Sequence, residues 1–136
     1  MTTDRPTGVT IVAVLQLIGG VVGLLVGLAN LILREVMDLP DLEPLMMMLG
    51  VLSILEGGVG LIAGYGLWTL KGWGWLLAVV FDVYVILGRV ALLFIGPHIP
   101  IIGPPEPGQI FGLVLSGFIL RYMYRPQHVR RAFGRA

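Results

Sequence analysis

Long apolar runs separated by short polar segments are the dominant pattern along this chain. The runs at about residues 9–33, 45–70 and 73–95 each exceed the about 20 residues that a helix needs to cross the hydrocarbon core of a bilayer. A fourth run, at about 107–124, crosses only if Pro107 begins the helix and basic residues at its far end reach the membrane surface. The pattern predicts an all-α, polytopic membrane protein with four transmembrane helices in a compact bundle.

Composition supports this class, because 57% of the residues are hydrophobic and only 12% are charged. That leaves too little polar surface for a water-soluble domain, so we expect residues 1–136 to form a single membrane domain in contact with the lipid bilayer. The chain has no cysteine, and its two histidines, His98 and His128, fall on opposite sides of the predicted membrane. We therefore expect no metal site and no cofactor. The clustered basic residues are expected to set the membrane topology, so we expect no nucleic-acid partner.

The distribution of charge predicts the orientation, since lysine and arginine are retained on the cytoplasmic side of a membrane more often than they are translocated. Arg5, Lys71 and the basic tail 125–136 fall on one side, whereas the acidic loop 34–44 and the proline-rich loop 96–108 fall on the other. This predicts a multi-pass protein of the cytoplasmic (inner) cell membrane with both termini in the cytoplasm. The residues expected to anchor it at the inner interface are Trp68, Trp73, Trp75, Tyr122 and Arg125.

Small residues recur at helical spacing inside the apolar runs, which is typical of membrane helices whose backbones approach closely. In the first run, one stripe contains Gln16, Gly20, Gly23 and Gly27, and the motif Gly19-x-x-x-Gly23-x-x-x-Gly27 overlaps it. Contact within one chain and contact between copies of the chain both explain such stripes, and we favour the first. The glycines expected at helix contacts are Gly19, Gly20, Gly23, Gly27, Gly60, Gly64 and Gly112.

Three charged residues, Glu56, Asp82 and Arg89, lie inside the predicted spans, where ionisable groups are costly. If the chain reverses at Lys71 and Gly72, the residue level with Glu56 is near position 87, so Arg89 comes within reach. One hypothesis is a structural Glu56–Arg89 pair that sets the helix register, with Asp82 protonated or bonded to Gln16 or Tyr84. The other is a proton or ion relay through Asp82 and Glu56, with Arg89 tuning their charge.

The segments RPTGVTIVAVLQLIGG, GYGLWTLKGWGW and YRPQHVRRAF resemble those of a loose class of small, uncharacterised prokaryotic integral membrane proteins with four predicted helices. Glycine and aliphatic residues carry most of this resemblance. It implies a helical membrane fold and transfers no site residues.

The short loops leave no room for an active site outside the membrane, and no nucleophile, base and orienting group can be assembled from the residues present. We therefore expect a non-enzymatic protein, an accessory or scaffolding subunit of a larger membrane assembly, with a membrane-protein partner or further copies of itself. The alternative is a small transporter or proton- or ion-conducting protein that uses Glu56, Asp82 and Arg89.

Overall fold

The computed structural model describes residues 6–37, 40–41, 43–95, 107–124 and 127–134. Within these residues the regular structure is entirely helical, which confirms the predicted all-α class. There are four long helices and one short one: α1 (Thr7–Met37), α2 (Glu43–Trp68), α3 (Gly72–Ile95), α4 (Pro107–Tyr124) and α5 (Gln127–Ala132).

Three of these helices, α1, α2 and α3, are long and apolar enough to cross a membrane. The apolar part of α4, Gly112–Tyr124, is shorter. Helix α4 begins at Pro107, which is the start that the sequence predicts. Proline is favourable there because the first residues of a helix have no intrahelical partner for their N–H groups. The sequence predicts only a basic tail at residues 125–136, whereas the structure places the short helix α5 there.

Helices α1 and α2 pack antiparallel, and glycines hold their backbones together. A Cβ atom added to Gly27 would lie 2.7 Å from the carbonyl oxygen of Gly50, and one added to Gly57 would lie 2.7 Å from that of Gly20. No side chain fits at these distances, so the two helices touch backbone to backbone along this seam. Close approach of this kind replaces the hydrophobic effect as a source of helix association inside lipid.

The chain reverses between α2 and α3 in a tight turn with a left-handed residue at its centre. Leu70 has φ 54°, its N–H donates to the carbonyl of Leu67, and the N–H of Lys71 donates to that of Gly66. This pattern is a Schellman ending of α2, which satisfies carbonyl groups that would otherwise lack partners. The carbonyl of Lys71 then accepts from the N–H groups of Gly74 and Trp75, so α3 begins at once.

Just beyond this turn, α2 and α3 cross at a second pair of glycines. A Cβ atom on Gly66 would lie 2.5 Å from the Cα atom of Gly74 and 2.9 Å from the ring of Trp73. Neither helix has a side chain between the two backbones at this crossing. The contact therefore fixes the register of α3 relative to α2.

The buried side chains gather at one end of the molecule, where α1 begins, α2 ends, α3 begins and α4 ends. Helix α5 lies at this end, where Val129 in the helix and Phe133 just after it are fully or almost fully buried. The cluster consists of Val9, Val12, Ala13, Ala63, Leu67, Trp75, Ala78, Ile119, Met123, Val129 and Phe133. At the same end, Gly8 of α1 contacts the ring of Tyr122 of α4.

Candidate functional site

Helix α3 carries three polar residues within the apolar region, and each of them faces a different neighbouring helix. Asp82 bonds to Gln16 of α1, Tyr84 bonds to Glu56 of α2, and the Arg89 guanidinium lies against Gly112 of α4. Consecutive helical residues are about 100° apart, so positions 82 and 84 point to nearly opposite sides of the helix. This spacing lets one helix make polar contacts on several sides.

The first contact, between Gln16 and Asp82, is buried. Gln16 Nε2 donates to Asp82 Oδ1 at 3.3 Å, and the two residues are only 7% and 4% exposed. The bond to Gln16 is one of the arrangements expected for Asp82 from the sequence, and it is confirmed. Asp82 Oδ2 is also buried, and no donor among the described residues reaches it.

The second contact, between Tyr84 and Glu56, is accessible from outside the protein. The Tyr84 hydroxyl donates to Glu56 Oε1 at 3.1 Å, Tyr84 is 49% exposed, and Glu56 is half-buried. Phe81, one turn earlier on α3, stacks on the Tyr84 ring with a centroid distance of 6.5 Å. A carboxyl group and a phenol thus sit on the outer surface of two apolar helices.

The ion pair expected between Glu56 and Arg89 is not formed, since the ion pairs among the described residues do not include it. The partner of Glu56 is Tyr84 instead, while the Arg89 side chain occupies the space beside Gly112. The register explains the difference. The chain reverses around Leu70, not at Lys71 and Gly72, so the residue level with Glu56 is position 84, almost one helical turn before position 87.

The aromatic residues expected at the membrane interface divide into two groups. Trp68 and Trp73 are 42% and 45% exposed. Trp75 is buried: its Nε1 donates to the carbonyl oxygen of Met123 at 3.2 Å, and its ring stacks on that of Tyr124. Trp75 therefore links α3 to α4. Tyr122 is half-buried against Gly8, and Arg125 lies outside the described residues.

The glycines expected at helix contacts also divide. Gly20, Gly23 and Gly27 of α1 face α2, and Gly60 and Gly64 of α2 face α1. A Cβ atom on Gly19, by contrast, would meet no atom within 4 Å, and one on Gly112 would meet the Arg89 side chain instead of a helix backbone. Gly19 thus lies outside the α1–α2 seam, although it shares a sequence motif with Gly23 and Gly27.

The glycines of the α1–α2 and α2–α3 contacts that the sequence analysis did not identify are Gly50, Gly57, Gly66 and Gly74. The signal for Gly57 was available, since Gly50, Gly57 and Gly64 repeat every seven residues and so share one face of a helix. The signal for Gly66 and Gly74 was not, because their contact depends on where the turn between α2 and α3 begins.

A separate group of charges lies at the other end of the molecule. The Arg34 guanidinium is 3.7 Å from Glu35 and 3.8 Å from Glu43, which joins the end of α1 to the start of α2. In the described part of the chain, no group of three or more His, Asp or Glu side chains could hold a metal ion.

No family model, curated protein or solved structure matches the chain.

Proposed function

We propose that the chain is a non-enzymatic accessory or scaffolding subunit of a larger membrane assembly. The observation that carries this proposal is the Glu56–Tyr84 pair, which is exposed on the surface of two membrane-spanning helices. A charged group at the centre of a bilayer costs about 3 kcal/mol by insertion scales, and such residues usually face protein or a water-filled cavity. A neighbouring membrane protein that covers the pair removes this cost.

The proposal includes a four-helix bundle in the cytoplasmic (inner) cell membrane with both termini in the cytoplasm. The contact of Gly8 with Tyr122 supports an even number of crossings, since it brings the beginning of α1 and the end of α4 together. Helix α4 has 18 residues, a length of about 27 Å at 1.5 Å per residue. This is close to the about 30 Å of hydrocarbon to be crossed.

Site-specific photocrosslinking in native membranes tests the partner. A crosslinking amino acid at position 87 replaces Leu87, which is 63% exposed one turn after Tyr84. The matched control replaces Leu25, which is 61% exposed on α1 and points away from the seam with α2. We expect one crosslinked protein of defined mass from position 87 and none from position 25.

Native mass spectrometry of the gently extracted protein then gives the stoichiometry. A fixed ratio of this chain to the crosslinked protein, lost in Glu56→Leu and Tyr84→Phe variants that remain helical, supports the proposal. A monomer, or an oligomer of this chain alone, contradicts it.

A second candidate function, proton or ion conduction, is favoured by one observation. Asp82 Oδ2 is buried and has no donor among the described residues, so it is a place at which a proton can be held inside the helices. Under this candidate the wild-type protein acidifies liposomes under an imposed potential, and Asp82→Asn abolishes the flux while Glu35→Gln leaves it unchanged. If the wild-type liposomes show no flux above empty ones, the candidate fails.

A further inference from the structure

We propose that the end of the molecule formed by the α2–α3 turn and α5 binds the phosphate group of an anionic phospholipid, with Lys71 and Arg131 as the two cations. This inference does not rest on the accessory-subunit proposal, since it concerns lipid at a different part of the surface.

The position of Arg131 is fixed by the docking of α5. Val129 and Phe133, on either side of it, are 0% and 5% exposed, whereas Arg131 is exposed. A Cβ atom on Gly72 would lie 3.3 Å from the carbonyl oxygen of Phe133. The residue that follows α5 therefore contacts the first residue of α3, and Arg131 is carried on a short segment that lies beside the turn.

The position of Lys71 is fixed by the backbone of that turn. Its N–H donates to the carbonyl of Gly66, and its own carbonyl accepts from the N–H groups of Gly74 and Trp75. The side chain is exposed. Both basic side chains are exposed, and the contact of Gly72 with Phe133 places the two segments that carry them next to each other.

The surroundings favour a lipid over a free phosphate ion. Trp68 and Trp73, which flank the turn, are 42% and 45% exposed, and such rings prefer the headgroup level of a bilayer. The exposed acidic residues of the described chain, Glu35, Asp41 and Glu43, belong to the opposite end. A phosphodiester at the turn therefore meets two cations without a nearby described carboxylate, while its glycerol and acyl chains extend along the aromatic rings.

The test uses the full chain in nanodiscs that contain equal amounts of phosphatidylglycerol and phosphatidylcholine. After release into detergent, native mass spectrometry measures the ratio of the two lipids that stay bound. We expect phosphatidylglycerol to predominate in the wild type. Each of Lys71→Gln and Arg131→Gln should lower its preference about fivefold, since one base near an anionic surface contributes about a factor of five in binding. Lys71→Arg should retain the preference.

Arg121→Gln is the matched control, since it removes the same charge from the same end of the molecule. Arg121 is exposed, and it precedes buried Met123 by two residues, which places it on the opposite side of α4. An equal loss of preference in Arg121→Gln would overturn the proposal, because it would mean general attraction to the basic end. Unchanged ratios in Lys71→Gln and Arg131→Gln, or displacement of the lipid by millimolar inorganic phosphate, would overturn it as well.

Discussion

Gln16 and Asp82 lie 66 positions apart in the chain and are joined by a buried hydrogen bond of 3.3 Å between α1 and α3. Among the described residues, Gln16 donates to one carboxyl oxygen of Asp82, and the second oxygen has no donor. One of the two carboxyl oxygens of Asp82 thus has a donor. The effects of substituting Gln16 and Asp82 on stability should therefore depend on each other.

A double-mutant cycle of Gln16→Leu and Asp82→Leu measures this dependence. Gln16→Leu should lower the free energy of unfolding, because it leaves both oxygens of Asp82 buried without a donor. The double variant should be more stable than the sum of the single changes allows, by about 1 kcal/mol. Equilibrium unfolding in mixed micelles, followed by far-UV circular dichroism, gives the four free energies. Additive effects would mean that the hydrogen bond does not couple the two residues.

Adjacent glycines of α2 should respond in opposite ways to the same substitution. A methyl group on Gly57 would lie 2.6 Å from the backbone nitrogen of Leu24, whereas one on Gly58 would meet no atom within 4 Å. Gly57→Ala should therefore force α1 and α2 apart and cost about 2 kcal/mol. Gly58→Ala should be neutral or stabilising by up to about 1 kcal/mol, because alanine favours the helix. The same unfolding assay compares them, and equal effects would argue against the backbone contact.

The protein should be more stable with glycine at position 70 than with alanine there. The φ of 54° at Leu70 is unfavourable for a residue with a Cβ atom by about 1 to 2 kcal/mol. Both substitutions remove the leucine side chain, which packs against the buried cluster, so their difference isolates the backbone. We expect Leu70→Gly to exceed Leu70→Ala by about 1 kcal/mol in the free energy of unfolding. A more stable alanine variant would show that the turn relaxes to another conformation.

Two phenylalanines test whether α5 is part of the folded structure. Phe133 is 5% exposed, whereas Phe118 of α4 is 70% exposed. Phe133→Ala should cost about 3 kcal/mol, as for a buried aromatic residue. Phe118→Ala should change the stability by no more than about 0.5 kcal/mol. Protease sensitivity of the tail in micelles provides a second measurement, with cleavage after Arg130 or Arg131 expected to increase only in the Phe133 variant.

The helical class and the apolar spans were predictable because they depend on runs of residues that are continuous in the chain. The bond of Asp82 to Gln16 was among the predicted arrangements, since a buried carboxyl group needs a donor and few polar side chains lie within the spans. These features follow from local composition and from the cost of placing polar groups in lipid.

The predicted pairing of Glu56 with Arg89 was wrong because it depends on the position of the turn between α2 and α3, which the sequence does not show. A left-handed residue after a helix is usually glycine, and Gly72 stands close to the end of α2. The residue that takes this conformation is Leu70. Moving the reversal to that position shifts α3 by almost a helical turn, which brings Tyr84 level with Glu56. Arg89 lies beside Gly112 of α4 instead.

The glycine seam between α1 and α2 has a consequence for biosynthesis. Both helices are synthesised before α3, and their contact needs no residue from the second half of the chain. We expect this hairpin to assemble in the membrane first, as N-terminal units of growing chains do. Gln16 is then already oriented when Asp82 is inserted. The carboxyl group of α3 can therefore accept a hydrogen bond as soon as the helix enters the lipid.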